Sequence, residues 1–423
     1  MSPLIAFFRR LRRIPQGITI VTAAFLPIFA IVSMFPAVPA IVDHFAADPG
    51  AKWKVPMMVS APGLTIALVA PFAGYFVDRF GRRPLLLGAT LLYGVFGCAP
   101  WFLSSLDAVF ISRLLLGFSE AAILTIVNTL IGDYWDDTGR RDWLFLQGVV
   151  GPLLSAGVIL LSGFASGARW NGIFLIYAVA FPIFLAMLAF LYEPKGDASA
   201  ALGVEPEPVA ETAAMASEAQ PAGAPAGPFP LAAMALVGVT TLAASALYYV
   251  FIISGSLAFR EVGVMSPQAI GKITALPSLA VVVGALIFRL LSGRSNGVQL
   301  GTFFAMIGIG LAGIGLAPSI GWMIAALVLQ QAGAGMAVPA LIAWTQTKLP
   351  FAHRGRGMGI WTACFFFGQF SSPWLVHQAN LGTGTMQGAF LIMGVLGTIV
   401  AVIAFVSAPR GRRPSPLFNE TLA

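Results

Sequence analysis

The chain has 423 residues, of which 58% are hydrophobic and only 10% are charged. A soluble domain carries roughly 25% charged residues, so this composition excludes a water-soluble globular fold. The net charge is +7, but the Arg and Lys residues stand in short runs between long apolar segments. That spacing argues against a nucleic-acid-binding face and fits the orientation of a chain in a lipid bilayer.

Twelve apolar segments follow one another along the chain, each near the ~20 residues that a helix needs to cross a bilayer. Several contain Gly and Pro, which transmembrane helices tolerate. The sequence therefore predicts an all-α polytopic membrane protein with twelve transmembrane helices. The predicted spans are residues 18–41, 55–77, 85–105, 107–132, 144–166, 170–192, 230–254, 267–290, 298–317, 320–346, 356–379 and 385–408.

One internal segment has a different composition. Residues 193–229 are rich in Ala, Pro and Glu and contain almost no aromatic residues, so they cannot bury a core and are predicted to form a flexible cytoplasmic linker. The linker separates a six-helix bundle of residues 1–192 from a second bundle of residues 230–408. A cytoplasmic tail, residues 409–423, follows.

The loop charges predict the orientation. An even number of spans places both termini on one side, and that side carries 18 Lys and Arg residues. The opposite side carries 5, namely Lys52, Lys54, Arg169, Arg260 and Lys272. By the positive-inside rule both termini are cytoplasmic, and we expect the protein in the cell (inner) membrane.

The basic stretch before the first span is read as a retained tail and not as a signal peptide, because the apolar run is too long for a signal core.

The turn between the second and third spans, GYFVDRFGRRP at residues 74–84, is a short and strongly charged segment between two long apolar ones. Its glycines allow a tight turn, and its acid can accept hydrogen bonds from arginine or from a helix N-terminus. The alternative is an ordinary positively charged loop at the membrane face. The residues of interest are Gly74, Asp78, Arg79, Gly81, Arg82 and Arg83.

This turn resembles the signature loop of the major facilitator superfamily of transporters. The resemblance implies two pseudo-symmetric six-helix bundles, and a gating role for the turn on the cytoplasmic side of the outward-facing state. The halves resemble diverged repeats, since Gly284-x-x-x-Phe288-Arg289 stands at the end of the eighth span. That copy has Phe288 in place of the acid, so gating is expected to be asymmetric.

The fourth span contains two ionisable residues, Arg113 and Glu120, seven positions apart and therefore on one helical face. Each costs roughly 2.5–3.5 kcal/mol at a helix centre on insertion scales, so both are functional candidates. Their separation along the helix, ~10.5 Å, argues against a direct ion pair. Arg113 resembles the arginine that the superfamily links to proton coupling. Glu120 stands where the antiporter pattern has a small residue, and we expect it to bind and release a proton, the alternative being a neutral structural glutamate.

The fifth span contains Gly148, Gly151, Pro152 and Gly157. Rows of small residues permit close helix packing, and proline bends a helix. The segment resembles the antiporter motif of the superfamily, although its final glycine pair is displaced. Plain helix packing is the alternative interpretation. We interpret the chain as similar to the twelve-span drug:proton antiporter-like branch.

A pocket for a lipophilic solute should be mainly apolar with a few polar groups. The first, fourth, seventh and tenth helices line the cavity in the superfamily. The candidate cavity residues are Phe25, Phe29, Asn128, Tyr248, Tyr249, Gln330, Gln331, Trp361, Phe365 and Gln369.

Together these features predict a secondary transporter that works by alternating access and exports a small organic or lipophilic solute with proton coupling. A proton symporter or facilitator that imports a metabolite is the alternative within transport. A receptor or assembly factor on a carrier fold is the alternative outside it. The sequence has no P-loop, nucleophile–base set or metal-ligand spacing, so we expect no enzyme activity, no cofactor and no metal. The expected partners are the solute, protons and the lipid bilayer, and the protein is expected to be a monomer.

Overall fold

The computed structural model describes residues 14–135, 137–193, 229–350 and 353–408. Within these ranges the chain forms helices and no strands, which confirms the prediction of an all-α fold. The helices form twelve consecutive rods, numbered α1 to α12 below, some of which are interrupted.

The first half contains six rods, and their connections within the half are short. Its bounds are α1, Ile14–Ala24, Leu26–Met34 and Val38–His44; α2, Ala51–Val69, Ala70–Phe72 and Ala73–Phe80; α3, Arg82–Cys98 and Ala99–Trp101; α4, Leu106–Tyr134; α5, Asp137–Ala168; and α6, Gly172–Val179 and Ala180–Phe190.

The second half repeats this architecture with longer and less interrupted helices. Its bounds are α7, Leu231–Glu261; α8, Pro267–Ser278 and Ala280–Leu290; α9, Asn296–Gly315; α10, Ile320–Lys348; α11, Arg354–Thr383; and α12, Met386–Val406.

Eleven helical stretches in the described ranges are long and apolar enough to cross a bilayer. The remaining rod, α11, has 30 residues and is therefore long enough, but its composition is more polar. Its polar Gln369 is buried inside the protein, where it avoids lipid. The twelve predicted spans thus correspond to twelve rods, and α11, which contains the span predicted at residues 356–379, is less apolar than the other eleven.

Prolines mark the interruptions in the rods. Pro27 and Pro39 stand at the starts of the second and third segments of α1, where a missing N–H costs no helical hydrogen bond. Pro277 precedes the break at Leu279 in α8. These breaks interrupt the regular helix of α1 and α8 beside the interface of the two halves.

The described part of the chain, residues 14–408 with its gaps, begins and ends at the same end of the bundle, because the end of α1 contacts the end of α7, which in turn contacts the start of α12. We call the end where α1 begins and α12 ends the terminal face. Gly17 near the start of α1 packs against the Trp143 ring near the start of α5, and Gly297 at the start of α9 packs against Ala408 after the end of α12. The opposite end, where α1 ends and α2 begins, is the far face.

The halves join mainly along two helix pairs, α2 with α11 and α5 with α8. Glycines allow the second pair to approach closely, because a Cβ atom on Gly163 would lie only 2.7 Å from the carbonyl oxygen of Pro267. Gly271 of α8 contacts the same region of α5. This packing brings the halves together near the far face.

Candidate functional site

A cavity of about 500 Å³ lies between the two halves, and we call it the large cavity. Helices α1 and α5 of the first half and α7, α8 and α10 of the second half contribute its lining. The lining is mostly aliphatic and aromatic, and none of the described residues in it is charged. Its polar residues are Gln147, Ser155, Tyr248, Thr274, Ser278 and Gln331.

A second cavity of about 150 Å³, the small cavity, adjoins the first. Ile28, Val32, Tyr248 and Ile252 line both cavities and form the wall between them. The small cavity also contains Glu120 in its lining, together with residues of α2, α6 and α11. It therefore places the ionisable groups of α4 next to the space between the halves.

Arg113 lines the small cavity and is held firmly by the first half. Its Nη2 donates to the carbonyl oxygens of Phe96 at 2.9 Å and Gly97 at 3.0 Å, which lie at the end of α3. The guanidinium carbon also lies 5.1 Å from the ring centroid of Phe174 and 4.8 Å from that of Tyr177. Carbonyl dipoles and aromatic faces therefore stabilise a cation that is only 1% exposed.

Glu120 faces the same small cavity and is 4% exposed. Among the residues that the structure describes, its Oε1 has no hydrogen-bond partner, and no ion pair within 4.0 Å joins it to Arg113. Gln369 of α11 lines this cavity from the other half, and its Oε1 also lacks a partner in the described part of the chain. A buried oxygen without a partner is costly unless a proton or a ligand satisfies it.

The structure places nine of the ten candidate cavity residues, and their environments differ. Phe25, Tyr248 and Gln331 line the large cavity, and Tyr248, Tyr249 and Gln369 line the small one. Neither cavity lining includes Phe29, Gln330, Trp361 or Phe365. The side chain of Asn128 lies outside the described part of the structure.

The residues outside the linings pack against neighbouring side chains. Phe29 stacks on Phe25 with ring centroids 5.9 Å apart, and Trp361 stacks on Phe365 at 5.2 Å. Gln330 is fully buried against Gly310 of α9. These residues support the cavity walls from behind.

Three of the four residues of the antiporter-like segment, Gly148, Gly151 and Pro152, line the large cavity on α5. A Cβ atom on Gly151 would lie 2.9 Å from the Phe25 ring, so this glycine lets α1 approach α5. Gly157 lies outside the lining, and in the described structure no neighbouring helix places an atom within 4 Å of the Cβ position on Gly148 or Gly157. The segment thus shapes the cavity wall as well as the helix packing.

The turn between α2 and α3 is tied to neighbouring helices of the first half. Gly81 has a φ of +81°, a left-handed value that favours glycine and that turns the chain sharply. Arg82 forms an ion pair with Asp133 of α4, with Nη1 and Oδ2 2.5 Å apart. The backbone N–H groups of Arg82 and Arg83 donate to the two carboxylate oxygens of Glu193 at 2.8 and 2.7 Å. This acid neutralises the positive N-terminus of α3.

The sequence did not reveal Glu193 as part of this turn, because it is 111 positions from Arg82 and begins the predicted linker. Gly74 and Asp78 lie within the described helix, but their surroundings are outside the described part of the structure, which therefore does not test the acceptor role expected of Asp78. Arg79 is exposed. Arg83 Nη2 additionally donates to the carbonyl oxygen of Leu188 at 3.2 Å.

Polar and aromatic contacts between the halves lie near the far face. Arg260 of α7 donates to Asp43 of α1 at 2.8 Å, and Lys272 of α8 lies 5.4 Å from the ring centroid of Phe164 on α5. Two of the five basic residues that the sequence assigned to this side therefore bridge the halves. Their partners could not be inferred, since they are far apart in sequence.

Aromatic pairs also join the two halves near the far face. Phe35 of α1 contacts Phe251 of α7 with centroids 5.0 Å apart, and Trp53 of α2 stacks with His377 of α11 at 6.1 Å. The large cavity, by contrast, extends along α5 to Leu144, near the terminal face. The structure is closed at the far face, and its large cavity extends toward the terminal face.

A comparison with protein families finds that the model of the Major Facilitator Superfamily matches residues 20–260 and 231–422. The chain belongs to the Major Facilitator Superfamily. Members of this family are transporters and not enzymes, which confirms the predicted family and the prediction that the chain is not an enzyme.

The curated relatives of this major facilitator protein are similar over only part of their length. The multidrug resistance protein 1 of Bacillus subtilis (strain 168) is 29% identical over 175 residues, which is 41% of this chain and 43% of the relative. The bovine (Bos taurus) solute carrier family 22 member 1 is 31% identical over 159 residues, 37% of this chain and 27% of the relative. A D-xylose transporter of Levilactobacillus brevis is 31% identical over 148 residues, 34% and 32% of the two chains. Relatives named as efflux or resistance proteins agree with the predicted efflux-like branch.

Solved structures share the fold. An auto-inhibited peptide transporter of the POT family has a TM-score of 0.69 and 14% sequence identity, covering 96% of this chain and 99% of that one. A D-xylose–proton symporter has a TM-score of 0.65 and 15% identity, covering 93% and 98%. At these identities the likeness supports the major facilitator fold and carries no information on the solute.

Proposed function

We propose that this major facilitator protein is a secondary transporter that exports a small organic solute in exchange for protons by alternating access. The observation that carries the proposal is Glu120, a carboxylate buried beside the space between the halves with one oxygen that lacks a partner in the described structure. A carboxylate in that position can hold a proton in one conformation and release it in another. Relatives named as efflux pump, multidrug resistance and tetracycline resistance proteins support the outward direction.

Arg113 supports this role without neutralising Glu120 directly. The α3 carbonyls and two aromatic rings hold its guanidinium away from a direct ion pair, so the Glu120 carboxylate stays available for a proton. A fixed positive charge in the same cavity favours proton release when the site opens to a less acidic compartment. We infer that Arg113 tunes the exchange and that Glu120 carries the proton.

The terminal face is the cytoplasmic face in this proposal, because the basic residues of the sequence concentrate on that side. The structure then represents an inward-facing state in the inner membrane, with the solute site extending toward the cytoplasm. Closure of the other gate would involve the turn that contains Gly81, Arg82 and Arg83. One chain contains both halves and both cavities, so we propose that the monomer is the working unit.

Import by proton symport is a second candidate, favoured by the similarity to a protein named as a D-xylose transporter. The same Glu120 chemistry would serve it, since symport requires the proton and the solute to cross together and antiport requires them to cross in alternate steps. The sign of the coupled proton movement separates the two candidates.

The test is proton movement in proteoliposomes that contain the purified protein and an internal pH-sensitive dye. A panel of sugars, organic acids, lipophilic cations and uncharged aromatic compounds is added to wild type, Glu120→Gln and Glu261→Gln. Glu261 is a matched control, because it lies at the end of α7 outside both cavity linings and accepts from the N–H groups of Met386 and Gln387.

We expect solute-triggered proton flux in wild type and Glu261→Gln and none in Glu120→Gln. Protons that move in the direction opposite to the solute establish exchange, and protons that move with it establish symport. Solute movement without proton flux in all three proteins would refute coupling.

A further inference from the structure

The small cavity has two charged residues in its described lining, Arg113 and Glu120, and the large cavity has none. We propose that the large cavity binds an uncharged, mainly apolar solute, so that each exchange for one proton moves one net charge across the membrane. This inference rests on the proposed proton exchange and adds to it the chemical class of the solute and the electrical character of transport.

The lining of the large cavity carries the first part of the proposal. Among the residues that the structure describes, it includes no Asp, Glu, Lys, Arg or His, although both halves of the protein contribute to it. An ion that entered would lose its hydration without meeting an opposite charge, which is unfavourable in a low-dielectric interior. A volume of about 500 Å³ with a mainly apolar lining suits a drug-sized molecule.

The polar groups of this lining are suited to hydrogen bonding. Gln147 and Ser155 come from α5 of the first half, and Gln331 comes from α10 of the second. Amide and hydroxyl groups can donate to a carbonyl, ether or hydroxyl oxygen on the solute and can accept from its N–H or O–H groups. One bound solute can therefore contact both halves and influence the position of each.

The charged groups lie in the adjoining small cavity. Glu120 and Arg113 line only the small cavity, and Tyr248 and Ile252 belong to the wall between the cavities. The proton site and the solute site are therefore adjacent and separate. A cationic solute that replaced the proton on Glu120 would give electroneutral exchange, whereas an uncharged solute in the large cavity gives electrogenic exchange.

Three fluorescent probes test the charge preference of the cavity. They share a dansyl amide body and differ in their end group, which is a propyl chain, a trimethylammonium or a sulfonate. Fluorescence enhancement is measured with the full chain in nanodiscs, with empty nanodiscs subtracted. Ser155→Trp, which fills part of the large cavity, controls for binding elsewhere.

We expect the uncharged probe to bind wild type at least tenfold more tightly than either charged probe, a difference of about 1.4 kcal/mol. Ser155→Trp should remove that binding. Equal or tighter binding of a charged probe overturns the proposal. If the cation is the tighter binder and Glu120→Gln abolishes its binding, the small cavity is the solute site.

A gain-of-function variant tests the same point. Gln331→Glu adds a negative charge to the lining, and Gln331→Met has a similar size without charge. We expect the first to raise the affinity for the trimethylammonium probe at least tenfold and the second to leave it unchanged. Equal affinities of the two variants for the trimethylammonium probe contradict the assignment of the solute to this cavity. If Gln331→Glu does not fold, the comparison of the three probes on wild type still decides the question.

Flux measurements separate failure of this inference from failure of proton exchange. Export of the uncharged probe is driven either by a pH gradient alone or by a potassium potential set with valinomycin at equal pH. We expect both to drive it. If only the pH gradient drives export of the probe, proton exchange stands and electrogenic transport is overturned. If neither gradient drives export, the proposed function itself is overturned.

Discussion

The ion pair between Asp43 and Arg260 joins α1 to α7 at the far face and should stabilise the closed far face. Asp43→Asn and Arg260→Gln each remove one charge and keep the approximate shape of the side chain. Both are expected to shift the conformational equilibrium toward the state in which the far face is open. The double variant Asp43→Arg with Arg260→Asp restores a pair of opposite charges and should reverse the shift.

The size of this shift follows from the exposure of the pair. The two charged atoms are 2.8 Å apart, but the side chain of Asp43 is 61% exposed and that of Arg260 is 26% exposed. Solvent screening limits such pairs to about 0.2–1 kcal/mol. A change of that size alters the ratio of closed to open far face by a factor of about 1.4 to 5. Larger effects are not expected, because the contact of Lys272 with Phe164 remains.

Double electron–electron resonance between spin labels at the far face measures the two populations. Cysteines introduced at Asp107 and Leu381 are exposed and lie on different halves, and serine replaces Cys98 and Cys364 in the same protein. The long-distance population should grow in each single variant, and the growth should shrink at high salt, where exposed pairs are screened. Unchanged populations in both single variants, or a charge swap that fails to reverse the shift, would refute the stabilising role of the ion pair between Asp43 and Arg260.

Three further changes test other contacts of the fold. Gly163→Val places a Cβ atom 2.7 Å from the Pro267 carbonyl oxygen, so the same spin-label measurement should show a far face that no longer closes. Asp133→Asn removes the ion-pair partner of Arg82. Because both side chains are mostly buried, we expect the free energy of unfolding to fall by about 1.5–3 kcal/mol, which a lower thermal unfolding temperature in detergent than that of wild type would show. Glu193→Gln removes the negative charge at the α3 N-terminus, at a cost of about 0.3–1 kcal/mol by the same measurement, and an unchanged unfolding temperature would contradict that role.

Short-range patterns predicted much of the candidate site. The spacing of seven between Arg113 and Glu120 predicted a shared helical face, and both residues line the small cavity. The predicted segment on α5 contributes Gly151 and Pro152 to the large cavity. Such features depend on helix geometry, which local sequence determines.

Contacts between distant segments could not be predicted in the same way. Asp43 and Arg260 are 217 positions apart, and only the packing of the two halves brings them together. Gln330 and Gln331 are neighbours with the same chemistry, yet the first packs against α9 and the second lines the large cavity. Successive helical residues point in different directions, and the sequence alone does not reveal which direction faces the cavity.

The most direct test of the central claim is proton release on solute binding. The purified protein in nanodiscs, in weakly buffered solution with a pH-sensitive dye, receives the solute that the flux panel identifies. Because coupling between two sites is reciprocal, solute binding should release a proton from wild type and none from Glu120→Gln, which should still bind the solute. Equal proton release by both proteins, or binding to wild type without release, would contradict the claim that Glu120 carries the exchanged proton.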